Sequence, residues 1–160
     1  MQTRWAMGRR KSPNDVVRPT HSSIGLAHDF SVTAFVDDAG DDRYFGHDRS
    51  IGAAKCHGFS IFADHGGSDV YDADHDRSIG WATDYDWAPD SCGSTIHPTY
   101  AFFVDVGGTD VYVKPDPTGY GDDRLWITDD PDDPTANEFG AGLDVSTGAT
   151  GLEGFGTALP

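Results

Sequence analysis

The sequence predicts an all-β fold: a short β-solenoid, β-helix-like, of about three coils with a degenerate fourth. Three observations carry that expectation. An opener, Ser-Ile-Gly-x-Ala, recurs at 23–27, 50–54 and 78–82. An Asp/Gly turn running into a tyrosine recurs at 37–44, 64–71 and 105–112. Almost every stretch of a dozen residues holds Gly, Pro or an Asp cluster, all poor helix formers. Self-similarity at a fixed period of 27–28 residues marks stacked or radial repeats. A propeller blade takes about 40–50 residues, so a β-propeller fragment ranks below the solenoid, as does a β-sandwich.

Residues 1–22 read as a mobile basic arm, or as sequence belonging to a longer protein. Arg9-Arg10 is followed by Lys11-Ser12-Pro13-Asn14-Asp15, where an export signal would turn apolar. The repeat domain is expected over 23–125, with units at 24–50, 51–78 and 79 to about 120. In each unit a β-branched or aromatic run precedes the turn, as at Phe35-Val36, Ile61-Phe62-Ala63 and Phe102-Phe103-Val104. The opening Ile stands 13 residues before the first turn Asp in two units and 26 in the third, which locates a 13-residue insertion at 86–98. Residues 126–160 are expected to be a C-terminal cap and loose tail, after an echo of the turn at Gly121-Asp122-Asp123-Arg124.

Composition narrows the function classes. Apolar residues make up 37% and mean hydropathy is −0.49, which suits a thin-cored, turn-rich domain. Residues 1–18 carry +4 and the other 142 carry −20, so the body repels phosphate and nucleic acid is not an expected partner. No run of 18 apolar residues offers membrane insertion as a helix. Cations or basic surfaces are the natural partners. Of 27 acidic residues 25 are Asp, a short carboxylate suited to turns and to hard cations. A generally acidic, salt-tolerant surface is the competing explanation.

Stacking turns one unit apart places Asp42, Asp69 and Asp110 in one file and Asp37, Asp64 and Asp105 in a second. Neighbouring coils lie about 4.8 Å apart, where like charges repel by roughly 3–4 kcal/mol at an effective dielectric of 20. Two such files call for neutralisation, and Ca2+ is hard, oxygen-seeking and tolerant of irregular loops. The alternative is that each Asp accepts backbone N–H bonds from its own turn and no ion is held.

The turns Gly66-Gly67-Ser68-Asp69-Val70 and Gly107-Gly108-Thr109-Asp110-Val111 resemble the Gly/Asp-rich nonapeptides of calcium-binding RTX β-rolls, without the x-Gly step between the glycines and Asp. They are more similar to uncharacterised bacterial Asp/Gly repeat proteins built on D-x-G-G-x-D-x-Y. That resemblance covers about residues 23–125 and implies a β-solenoid with no assigned activity.

His47-Asp48-Arg49-Ser50 recurs as His75-Asp76-Arg77-Ser78. A catalytic site needs one geometry, so a twice-repeated His-Asp-Ser reads as scaffold, with Arg49 and Arg77 neutralising Asp files across coils. Asp72-x-Asp74-x-Asp76 imitates an EF-hand loop but has Arg77 in place of the required Gly and Thr83 in place of the closing Glu. Where the repeat breaks, the insertion brings Trp87, Asp90, Cys92 and His97 near Trp81, aromatic groups beside carboxylates that suit carbohydrate stacking. Trp81, Trp87, Asp90 and His97 are therefore the candidate ligand-binding set. Cys56 and Cys92 either pair or stay free.

These readings converge on a structural or interaction module of a secreted or surface bacterial protein, Ca2+-stabilised, with further coils of the same solenoid as neighbours if the chain is a fragment. Extracellular or cell-surface placement is favoured. The enzyme alternative is a polysaccharide lyase or glycoside hydrolase on a β-helix scaffold, using Asp84, Asp86 and Asp105; it rests on fold analogy.

Overall fold

A computed structural model describes residues 5–10, 14, 16–17, 24–75, 77–84, 92, 97–113, 119–128 and 138–146. Every regular element among the described residues is a strand, so the described fold is all-β. In chain order the strands are β1 (Trp5–Arg10), β2 (Val16–Val17), β3 (Ala27–His28), β4 (Val32–Asp37), β5 (Arg43–Gly46), β6 (Ala54–Lys55) and β7 (Phe59–Asp64). They continue as β8 (Val70–Ala73), β9 (Ala82–Thr83), β10 (Thr99–Val106), β11 (Val111–Tyr112), β12 (Leu125–Thr128) and β13 (Glu138–Val145).

Each repeat unit deals one strand to each of three sheets. The large sheet runs β1-β4-β7-β10-β13-β12, the second β11-β8-β5-β2 and the third β3-β6-β9. All pairings are parallel except β12 with β13. The register follows the repeat: Val32 faces Phe59, and Phe59 faces Tyr100. The openers are knitted by parallel bridges Ile24–Ile51 and Ile51–Ile79.

Within residues 1–22, expected to be an arm, the structure instead pairs β1 with β4 and β2 with β5, at the same 27-residue offset. The parallel pairing thus reaches back before the first opener. At the other end, β13 continues the parallel stack on β10, and the antiparallel β12 closes its edge. A short antiparallel strand covers backbone donors and acceptors that would otherwise template further pairing.

Strand parity sets the interior. In β7 alternate residues Ser60, Phe62 and Asp64 are buried. Phe62 stacks between Phe35 and Phe103, with both centroid distances at 5.1 Å. Tyr71 stacks between Tyr44 and Tyr112 at 5.2 and 5.0 Å. The two files meet edge to face, as at Tyr44–Phe62 and Tyr71–Phe103. Each aromatic pair adds about 0.5–1.5 kcal/mol to the burial of its rings. Ala27, Ala54, Ala82 and Ala101 form a second, fully buried cluster, which accounts for the Ala that closes each opener.

Candidate metal centre

Asp64 occupies the same inward parity as Ser60 and Phe62, so its carboxylate points into the stack rather than into water. The equivalent positions form one row across the sheet: Asp37 faces Asp64, Asp64 faces Asp105, and Asp105 faces Asp144. All four are at most 2% exposed. The second file is tied by its own backbone. The N–H of Asp42 donates to Asp69 Oδ1 at 2.6 Å, that of Asp69 to Asp110 Oδ1 at 2.6 Å, and that of Asp110 to Asp122 Oδ1 at 2.8 Å.

The two files interleave into three triads one coil apart. Carboxylate oxygens lie within 4.8 Å of one another in Asp42/Asp64/Asp69, in Asp69/Asp105/Asp110 and in Asp110/Asp122/Asp144. Asp69 and Asp110 each belong to two triads. Tyrosines of the core fix the other partner: Tyr44 donates to Asp64 Oδ2, Tyr71 to Asp105 Oδ2 and Tyr112 to Asp144 Oδ2, each at 2.5 Å.

The middle triad has the donor set of a hard-cation site. In each carboxylate one oxygen is fixed by an N–H or O–H donor. The second oxygen, Oδ2 of Asp69, Oδ1 of Asp105 and Oδ2 of Asp110, is buried and has no hydrogen-bond partner. Leaving such oxygens bare costs several kcal/mol per charge, so the folded site demands protons or a cation. Burial, ahead of every other cause, raises Asp69 to about 8, Asp105 to about 9 and Asp110 to about 7. Repulsion from Asp64 adds to all three, and donors from Asp42, Tyr71 and Asp69 respectively oppose the rise. The Tyr71 hydroxyl, pushed far above its ordinary value by burial, stays a proton donor. A cation held by the three carboxylates would supply the missing partners, and oxygens within 4.8 Å of one another could share one Ca2+ with ligands at about 2.3–2.6 Å.

Of the six aspartates expected to ligate, Asp42, Asp64, Asp69, Asp105 and Asp110 stand in these triads, while Asp37 lies in the same row with both oxygens unpartnered. Asp122 and Asp144 join them without having been expected. Arg49 bonds its neighbour Asp48 at 2.7 Å, and Arg77 lies over the Trp81 ring at 5.5 Å. The repeated His-Asp-Ser is cross-coil scaffold: His47 Nδ1 meets Asp74 at 2.5 Å, His75 Nδ1 meets Asp48 at 3.4 Å, and the buried Ser50 and Ser78 hydroxyls bond carbonyls of His47 and His75.

Of the expected carbohydrate-binding set, Trp81 and His97 are among the described residues. Trp81 is only 7% exposed, packed beneath Arg77, and cannot stack on a ligand. His97 is exposed, but its ring leans on Phe30 and His57. Trp87 and Asp90 lie outside the described residues, as does Asp86. Asp105 is enclosed against Tyr71, and Asp84 instead donates its N–H to Glu138 Oε2 at 2.5 Å.

Cys56 and Cys92 are joined in a disulfide, which removes Cys56 from the His28/Asp29/Cys56 cluster as a metal ligand. The bridge anchors the insertion onto the Cys56–His57 corner, where His57 ring nitrogens face the carbonyls of His97 (2.6 Å) and Cys92 (3.3 Å). Closing a 36-residue separation removes about 4 kcal/mol of unfolded-state entropy. Reduction with dithiothreitol is therefore expected to lower the melting temperature by roughly 8–16 °C, read by circular dichroism against the oxidised protein.

No family model matches the sequence, and no curated protein or solved structure matches it at a significant level.

Proposed function

We propose that this chain is a short β-solenoid acting as a structural or interaction module of an extracellular or cell-surface bacterial protein, with Ca2+ bound in a stack of shared aspartate triads as its stabilising cofactor. The observation that carries the reading is the middle triad, where three enclosed carboxylates have oxygens within 4.8 Å of one another and each keeps one oxygen without a hydrogen-bond partner. Seven carboxylates build the three triads. Three Ca2+ ions would set six positive charges against seven negative ones, close to neutrality in a place where neither charge alone is tolerable. The disulfide suits an oxidising compartment. The triads face the aromatic core and are fixed by its tyrosines, a placement that supports folding rather than turnover of a substrate.

The test is a calcium titration of chelator-stripped protein, followed by melting and calorimetry. A site filled to about 100 times its Kd adds about 2.7 kcal/mol, and so raises the melting temperature by about 5–10 °C. Mg2+, which insists on tighter octahedral geometry, is expected to do less. Asp105→Asn should remove the middle site's share of both heat and shift. An unchanged melting temperature at millimolar Ca2+ sinks the proposal.

A further inference from the structure

Five strands of the large sheet, β4, β7, β10, β13 and β12, carry apolar residues on their outward face. Val32, Phe59, Tyr100 and Phe139 form one outward row across β4, β7, β10 and β13. Val36, Ala63, Val104 and Leu143 form another, four residues further along the strands. Ile61 and Phe102 lie between them, and Leu125 and Ile127 of β12 extend the face at 48% and 53% exposure. No outward position of β4, β7, β10, β13 or β12 is charged, in a chain of net charge −16.

Size and shape say what covers it. The 32 residues of those five strands, at about 3.3 Å rise and about 4.8 Å spacing, give a footprint of about 500 Å². That is the upper end of what monomers leave exposed. Two such faces together bury about 1,000 Å², which reaches the lower bound of a specific interface. The relief is self-complementary. The first row is bulky and aromatic at three of its four positions, and the second is small or aliphatic throughout. We propose that the face is the interface of a homodimer, formed about a two-fold axis parallel to the direction in which the coils stack. That axis reverses the strands and lays the Phe59/Tyr100/Phe139 row of each copy over the Val36/Ala63/Val104/Leu143 row of the other. The result is an isologous sheet-on-sheet packing about 10 Å thick.

Charge gives the dimer a signature. Two bodies of −16 repel, while the contact itself holds no ion pair, so added salt strengthens association by screening the repulsion. Sedimentation equilibrium of the full chain, from micromolar to hundreds of micromolar in low and high NaCl, is expected to give twice the 17.2 kDa chain mass, at lower concentration in high salt. Phe102→Lys and Val104→Lys should each weaken association at least tenfold. Their spectra and melting should match the parent's at a concentration where both are monomeric. Val111→Lys, on an exposed position of the second sheet, should leave association unchanged. Three outcomes overturn the proposal. One is a mass of 17.2 kDa at every concentration and salt. Another is a monomer whose Phe102→Lys variant melts lower, which assigns cover from within the same chain. The last is a monomer that adsorbs to neutral lipid vesicles through Phe102, which makes the face a lipid contact.

Discussion

Melted without divalent cation, the protein is expected to lose stability steadily from pH 5 to pH 9, by more than about 10 °C in melting temperature; with millimolar Ca2+ the same scan should be flat or rise. The sign follows from the middle triad. Burial, reinforced by neighbouring carboxylates, lifts Asp110 to about 7, Asp69 to about 8 and Asp105 to about 9, against 3.8 for an ordinary Asp side chain. A carboxyl whose folded value lies above its unfolded one binds its proton more tightly in the folded state. Its stabilisation is complete below the unfolded value and is lost as pH rises through the folded one. The window therefore opens near pH 4 and closes near pH 9. Asp64 and Asp144, also raised by burial, act in the same direction. Ca2+ competes with those protons, so its affinity grows as pH rises and offsets the loss. Starting the scan at pH 5 keeps it above the isoelectric point of about 4.4. A metal-free slope that survives unchanged in Ca2+ would rule out the cation, and a flat metal-free scan would rule out the enclosed carboxyls themselves.

The repeating parallel strands were legible in the sequence because their period is carried by residues that pair from one unit to the next. Ile24, Ile51 and Ile79 bridge one coil to the next, and the alanines after them are fully buried. The outer coils were not legible, for reasons in their own residues. β1 has Arg10 where the next coils carry Asp37 and Asp64. β13 has Gly142 where the preceding coil carries Phe103, and a Cβ there would overlap the Trp126 ring. Trp126, reaching in from the antiparallel β12, replaces the missing aromatic and contacts Phe103 at 5.4 Å. The core is continuous although the repeat is broken.

The site was half legible. Equal spacing identified two aspartate files, but not that they interleave, because which oxygens meet depends on the turn between them. Asp144 was missed because it lies in β13 without an Asp/Gly turn following it in the sequence, and Asp122 because its turn is degenerate. Strand parity carried a usable signal: counting by twos from Phe62 and Phe103 reaches Asp64 and Asp105, so both had to be buried. Trp81 misled because the fourth position of the opener varies, with Leu26 and Ala53 in the other units. Variation there reflects what each coil can cover, and Arg77 covers the Trp.

Gly67→Ala is expected to cost more than 4 kcal/mol, and Gly66→Ala only about 1–3, although the two glycines are adjacent and both hold positive φ, 151° and 141°. Backbone strain alone would make them equal. They differ in what lies one coil away. A Cβ at Gly66 would meet the Val106 carbonyl at an ordinary 3.5 Å, whereas at Gly67 it would overlap the carbonyl oxygen of Gly40. The next coil repeats the contact, Gly108 against the oxygen of Gly67. That oxygen cannot retreat cheaply, because Gly40 donates its N–H to Gly66 at 2.9 Å and the coils are held by the strands on either side. An alanine at 67 must therefore spread two coils just before Asp69, whose N–H reaches Asp110. Urea titrations of the two variants provide the comparison, and Gly67→Ala should also lose its calcium response while Gly66→Ala keeps it. Equal costs would mean that the second glycine is there for its φ, and that the coils do not meet through backbone at the mouth of the site.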